Sequence, residues 1–159
     1  MQIVFDDSTF WIAYGVSNAG GAILAITAAK WPIASRYLYT ALFGWACWFN
    51  ITTVLDTPEV YADYAYFAVF PFLVDFIDGW FSSNTLAVII PVAIGQGLIA
   101  LGMMLGGRWQ RFAAIGAMTF FVAVMPLGIG SAFPATLLMG IGAFFLMKNA
   151  STQHTPAVQ

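Results

Sequence analysis

Three long runs of uncharged, mostly apolar residues lie in the first two thirds of the chain, the first two separated by a short basic cluster and the last two by a longer mixed segment. These runs are residues 9–29, 37–55 and 85–105. Each one ends beside a charged residue, a proline or a pair of glycines. A helix that crosses the hydrocarbon core of a bilayer needs ~20 largely apolar residues, because its backbone polar groups must be paired internally. The three runs therefore predict three transmembrane helices.

Residues 112–147 form a longer uncharged run that is interrupted in its middle. The interruption contains Pro126, Gly128, Gly130 and Pro134, which favour turns over a continuous helix. We predict two short transmembrane helices joined by a tight turn, which brings the total to about five. A kinked or partly re-entrant arrangement of this region is the alternative.

Composition supports a membrane environment for most of the chain. Of the 159 residues, 61% are hydrophobic and only 8% are charged, and the mean hydropathy is +0.85. Soluble domains carry roughly a quarter charged residues, and a chain this short could not bury so much apolar surface in one aqueous core. The predicted fold class is an all-α polytopic transmembrane helix bundle.

Charged residues separate by sign once five spans are assumed. The 5 basic residues fall at one end of the predicted helices and the 7 acidic residues fall at the other. The basic residues are Lys30, Arg36, Arg108, Arg111 and Lys148, and the acidic ones are Asp6, Asp7, Asp56, Glu59, Asp63, Asp75 and Asp78. Basic loops stay in the cytoplasm. We therefore predict a bacterial inner-membrane protein with an outer tail at residues 1–8 and a disordered cytoplasmic tail at 148–159.

Residues 56–84 are aromatic and acidic, and they are unlike a transmembrane span. Residues 59–70 are compatible with a helix that Thr57 caps and Pro58 begins. Such a segment suits the membrane–water boundary, so we predict an interfacial helical cap over the bundle. Asp75 and Asp78 either solvate the outer face of this cap or point inward as binding groups for a cation, a proton path or an amine.

Polar residues inside the predicted spans are few, and none of them is ionisable apart from Cys47 and the tyrosines. Gln96 lies between Gly95 and Gly97, so a neighbouring backbone can approach a mid-membrane amide. Gln96 then either forms a hydrogen bond between helices or, with Asn50, lines a pocket for a quinone, a lipid or a small apolar molecule. A further set of glycines is predicted to lie at helix contacts: Gly15, Gly20, Gly21, Gly140 and Gly142.

Several kinds of chemistry have no support in the sequence. With one cysteine, Cys47, and one histidine, His154, the chain has no disulfide pair, thiolate metal site or membrane haem ligand set. Five scattered cations make no nucleic-acid-binding patch. We predict no catalytic residues, no metal and no resident cofactor, with a bound quinone or lipid left open.

The third span and the segment after it resemble one known family. The residues that carry this resemblance are Gly95-Gln-Gly-Leu-Ile-Ala-Leu-Gly-Met-Met-Leu-Gly-Gly-Arg-Trp-Gln-Arg-Phe-Ala-Ala114, with Leu127-Gly-Ile-Gly-Ser-Ala-Phe-Pro134 further on. The segment is similar to the corresponding hairpin of DoxX-like membrane proteins. The resemblance implies a four-helix unit over residues 36–147, to which residues 9–29 add one N-terminal helix. It also implies a membrane or redox protein as partner, since the family is named after a subunit of a quinone-linked oxidoreductase.

The leading functional hypothesis is a non-catalytic membrane protein that acts as an accessory subunit or binds a small hydrophobic ligand such as a lipid or quinone. The candidate ligand-binding residues are Gln96, Asn50, Asp75 and Asp78. Two alternatives stay open: a membrane subunit of a quinone-linked oxidoreductase, and a small transporter whose mouth contains Asp75 and Asp78.

Overall fold

A computed structural model describes residues 8–150 of the chain. The described part consists of helices joined by short turns, without a β-strand, so the predicted all-α bundle is confirmed. Asp6, Asp7 and His154 lie outside the described residues, as does nearly all of the two predicted tails.

Six α-helices make up most of the described chain. They are α1 (Ser8–Lys30), α2 (Pro32–Asp56), α3 (Pro71–Phe76), α4 (Thr85–Leu105), α5 (Gly107–Val124) and α6 (Ala135–Asn149). Three of them, α1, α2 and α4, are long and apolar enough to cross a membrane. The same is true of α5 when it is taken with the 3-10 helix Met125–Ser131 that follows it. α6 is shorter, at 15 residues.

Two helices begin earlier than the hydropathy pattern predicts. α2 starts at Pro32, because Trp31 alone breaks the helix (φ −135°, ψ 68°) and proline is well suited to a first helical position. α5 starts at Gly107, directly after Gly106 turns the chain with φ +72°. The basic residues Arg36, Arg108 and Arg111 therefore lie within helix ends, whereas the hydropathy pattern predicts that they lie between the spans.

The four long helices and α6 form a closed ring in the order α1, α2, α4, α5, α6. Consecutive helices in the chain run antiparallel, whereas α1 and α6 run parallel, with Gly21 against Ala135 and Gly142 against Ala25. All five helices contribute to one core. Its largest members are Leu24, Tyr39, Phe43, Ile99, Met103, Phe121 and Leu146.

Glycines permit close contact at only some of the predicted positions. A Cβ added at Gly21 would lie 3.0 Å from the Ala135 backbone, and one at Gly142 would lie 3.2 Å from the Leu24 carbonyl oxygen. At Gly140 the nearest atom is the Phe121 Cβ, at 3.8 Å, an ordinary contact. The prediction is wrong for Gly15 and Gly20, where an added Cβ would have no atom of another described helix within 4 Å. Gly15 is exposed and Gly20 is half-buried.

Large apolar side chains cover the outside of the bundle. Exposed examples on successive helices include Ile12, Val16, Trp48, Leu98, Phe112, Val122 and Leu137. Monomeric soluble proteins rarely expose continuous apolar surface on this scale. With the long apolar helices, this surface identifies a helical membrane protein whose outer face contacts lipid.

The charged residues of the described chain lie at two opposite ends of the ring. Lys30 ends α1, Arg36 lies in the first turns of α2, and Lys148 is in the last turn of α6. We call this the basic end. The opposite, acidic end contains Asp56 at the end of α2 and the connection that leads to α4.

That connection, residues 57–84, forms a cap on the acidic end. It contains a 3-10 helix, Pro58–Tyr66, then α3 and a π-helical turn, Ile77–Phe81. The cap packs on the ends of α2 and α4 through a second apolar cluster of Val54, Tyr61, Ala65, Ile77, Phe81 and Ile89. As predicted, a helix begins at Pro58 with Thr57 in the N-cap position, but it is a 3-10 helix that ends at Tyr66, and the Thr57 side chain makes no capping bond to it.

Candidate ligand-binding site

Small residues let α2 and α4 approach closely near the middle of the bundle. Gly44 faces Ala100, and a Cβ added at Gly97 would lie 3.2 Å from the Cys47 Sγ atom. Gly95, by contrast, faces open space. Only one of the two glycines beside Gln96 therefore brings the helices together.

A chain of hydrogen bonds follows this close contact toward the acidic end. The Asn50 Nδ2 donates to the Gln96 Oε1 at 2.8 Å, and the Tyr61 hydroxyl donates to the Asn50 Oδ1 at 2.8 Å. Gln96 is 2% exposed and Tyr61 is 5% exposed. The structure thus brings Gln96 and Asn50 together as an interhelical hydrogen bond, and Tyr61 ties the cap to that pair.

The 3-10 helix aligns aromatic residues that an α-helix would spread. With three residues per turn, side chains three apart lie above one another. Tyr61, Tyr64 and Phe67 form one such row, and Val60 and Asp63 form the row beside it. Both rows face the same cavity at the acidic end of the bundle.

This cavity has a volume of about 260 Å³. Its lining residues are Phe10, Phe49, Thr53, Val60, Tyr61, Asp63, Tyr64, Phe67 and Gly130. Phe10 of α1 stacks on Phe67 with ring centroids 5.6 Å apart, and Tyr61 stacks on Tyr64 at 6.3 Å. Phe49, Val60 and Asp63 are exposed, so the cavity is open to the surface. We call it the aromatic cavity.

Three kinds of polar group lie among these rings. They are the Thr53 hydroxyl, the Tyr61 and Tyr64 phenols, and the Asp63 carboxylate, which is exposed. Burial raises the pKa of both phenols above the ordinary value of 10.0, and for Tyr61 the neighbouring Tyr64 adds to the effect. Both phenols are therefore neutral at physiological pH, and among the described residues of the lining Asp63 is the only acidic or basic side chain.

The glycines of the α5–α6 turn hold the cap in place. Val69 N–H donates to the Pro126 carbonyl oxygen at 3.0 Å. Gly128 adopts φ +60° and ψ −131°, and a Cβ there would lie 2.7 Å from the Phe67 carbonyl oxygen. A Cβ at Gly130 would lie 2.9 Å from the Phe67 ring. One wall of the aromatic cavity thus depends on a turn that only glycine permits.

A second depression lies beside the first turn of α4 and has a volume of about 390 Å³. It is lined by Pro58, Glu59, Ser82, Ser83, Asn84, Thr85, Leu86 and Ala87. The Asn84 Nδ2 and the Thr85 hydroxyl donate to carbonyl oxygens of the preceding turn, so they are already satisfied. This depression is larger than the aromatic cavity, but its lining contains no aromatic residue. In the described chain, none of its lining residues forms a hydrogen bond with Asn50.

The four candidate residues from the sequence occupy different places. Gln96 and Asn50 are joined directly, but neither lines the aromatic cavity, which they reach through Tyr61. Asp75 and Asp78 are exposed on α3 and the π-helical turn, and no hydrogen bond of the described chain joins them to the amide pair. Within residues 8–150, no three metal-ligating side chains come together.

Sequence reasoning missed Tyr61, Asp63, Tyr64 and Phe67 as a set. The signal was present as the spacing of three that links Tyr61, Tyr64 and Phe67, together with Pro58 at the start of the segment. A spacing of three is also tolerated on one face of an α-helix. The pattern alone therefore did not separate a 3-10 row from an α-helical face.

Comparison with known proteins gives no relative. No family model matches the chain, and neither a curated protein nor a solved structure matches it. Function is therefore inferred from the cavity and its chemistry.

Proposed function

We propose that this protein is a non-catalytic membrane protein that binds a small, largely apolar ligand, or the compact end of a lipid or quinone, in the aromatic cavity. The observation that carries the proposal is the convergence of five aromatic rings from α1, α2 and the cap on a cavity of about 260 Å³. Ligand sites are typically apolar clefts with a few placed polar groups, and most have ≈ 300–1,000 Å³. The volume here suits a small group whose attached chain extends into lipid.

The hydrogen bonds from Gln96 through Asn50 to Tyr61 give this cavity a defined inner wall. Tyr61 contacts the ligand space on one side and donates to Asn50 on the other. A hydrogen bond between membrane helices contributes about 0.6 kcal/mol to stability on average. The hydrogen bonds among Gln96, Asn50 and Tyr61 therefore act mainly to orient the Tyr61 ring. Gln96 and Asn50 serve the site indirectly, as positioning residues for Tyr61.

Co-purification tests the proposal. The protein, extracted in mild detergent, should carry about one equivalent of a lipid or quinone that mass spectrometry of an organic extract detects. Val60→Trp should displace it, because Val60 lines the opening of the cavity. Val122→Trp, on the lipid-facing side of α5, is the matched control and should retain it. Equal lipid and quinone content in both variants would contradict the proposal.

We also propose that the basic end faces the cytoplasm of a bacterial cell and that the cap faces outward. This follows from the positive-inside rule, since Lys30, Arg36 and Lys148 lie at one end of the described helices. In a Cys47→Ala background, Ser83→Cys should react with an impermeant maleimide in spheroplasts. Trp31→Cys, at the basic end, should react only after lysis. The reverse pattern would contradict this orientation.

A further inference from the structure

We propose that the group bound in the aromatic cavity is a small organic cation of the quaternary-ammonium class, either free in solution or as the headgroup of a lipid. This inference rests on the proposed function and names the class of ligand. It goes beyond an apolar site because, among residues 8–150, the lining combines aromatic walls with a single carboxylate, Asp63, and contains no basic side chain.

The aromatic walls favour a cation that is weakly hydrated. The electron-rich face of a phenyl or phenol ring attracts an alkylated ammonium within about 6 Å, and several rings together form the cages that recognise choline and methylated lysine. Phe10, Phe49, Tyr61, Tyr64 and Phe67 supply five rings here. A quaternary ammonium has no N–H group, so it needs no hydrogen-bond acceptor from these walls.

The stacked pairs hold the rings in place before a ligand arrives. The Phe10 and Phe67 rings are nearly parallel, with an interplanar angle of 7°, and the Tyr61 and Tyr64 rings meet at 26°. One pair joins α1 to the cap, and the other is anchored by the Tyr61 hydroxyl on Asn50. Because the rings are ordered in advance, binding loses little side-chain entropy.

Charge distinguishes this ligand from the alternatives. An anion would meet Asp63 with no cation to offset it, since Lys30, Arg36, Arg108, Arg111 and Lys148 all lie at the basic end. A neutral apolar group would gain nothing from a carboxylate. A permanently charged, methylated ammonium is attracted by both the aromatic rings and the Asp63 carboxylate.

Choline and its neutral analogue 3,3-dimethylbutan-1-ol separate charge from shape, because a carbon replaces the nitrogen without changing the size. The protein is placed in phosphatidylglycerol nanodiscs, and labelled choline is measured by equilibrium dialysis. We expect saturable binding, with the alcohol competing at least about tenfold more weakly. Adding phosphatidylcholine to the discs distinguishes the two sources: loss of free-choline binding identifies the lipid headgroup, and unchanged binding identifies a soluble cation.

Matched variants test whether the Asp63 carboxylate attracts the bound cation. Asp63→Asn should weaken choline binding by about fivefold at low ionic strength and by less at high salt, because Asp63 is exposed and screened. Glu59→Gln removes the same charge from the same 3-10 helix but outside the aromatic cavity, so binding should be unchanged. Tyr64→Leu should weaken binding at every salt concentration, since it removes a ring.

Equal competition by choline and the alcohol, or equal effects of Asp63→Asn and Glu59→Gln, would overturn this inference. If choline does not bind but a lipid or quinone is retained in the wild type and lost in Val60→Trp, the cation class fails and the proposed function stands. If choline does not bind and no lipid or quinone is retained, both fail.

Discussion

Replacing Gly128 with alanine is expected to lower the free energy of unfolding by roughly 2–5 kcal/mol and to detach the cap from the α5–α6 turn. Gly128 has φ +60° and ψ −131°, a conformation that side-chain-bearing residues adopt only at a cost. The added methyl would also lie 2.7 Å from the backbone oxygen of Phe67, which cannot move without shifting the cap.

Unfolding by sodium dodecyl sulfate in mixed micelles, followed by circular dichroism, measures this effect. Gly79→Ala is the control, because Gly79 lies in the same cap with no atom within 4 Å of an added Cβ. Ligand retention should fall with Gly128→Ala, since Phe67 lines the aromatic cavity, and should persist with Gly79→Ala. Equal unfolding energies for the two variants would show that the turn does not hold the cap.

Gly21→Ala is expected to destabilise the ring by about 1–3 kcal/mol, because overpacking forces the backbone of a neighbouring helix to shift. The new Cβ would meet the Cα and carbonyl oxygen of Ala135 at 3.0 Å and its Cβ at 3.1 Å. Ala135 is the first residue of α6 and is fully buried. The contact therefore has no flexible side chain that could rotate away.

Gly20→Ala provides the comparison one residue away, with no atom within 4 Å. Alanine favours the helix by ≈ 0.8–1.0 kcal/mol over glycine, so this variant should be as stable as the parent or slightly more stable. The same unfolding assay measures both variants. Finding Gly20→Ala at least as destabilising as Gly21→Ala would show that α1 and α6 do not pack as described.

The number and approximate positions of the helices were predictable because charges, prolines and glycines mark their ends. Helix pairing was not predictable in the same way. Every long helix is apolar over most of its surface, so hydropathy does not separate a core-facing side from a lipid-facing one. Gly15, Gly20 and Gly21 look alike in the sequence, yet only Gly21 contacts another helix in the described chain.

The candidate site was predicted only in part. A lone mid-membrane amide such as Gln96 stands out in an apolar sequence, and the structure joins it to Asn50. Asp63 does not stand out among the acidic residues of residues 56–84, because its place in the aromatic cavity depends on a 3-10 geometry. The 3-10 helix packs on α2 and α4, and composition does not reveal this contact.

The parallel pairing of α1 with α6 also determines how the ring can assemble. The Tyr14 hydroxyl donates to the Phe133 carbonyl oxygen across 119 residues of sequence. Because α1 precedes α6 by about a hundred residues, α1 meets its main neighbour only after α6 has also entered the bilayer. The cavity wall that Phe10 supplies therefore forms late, when the α1–α6 contact at Gly21 closes the ring.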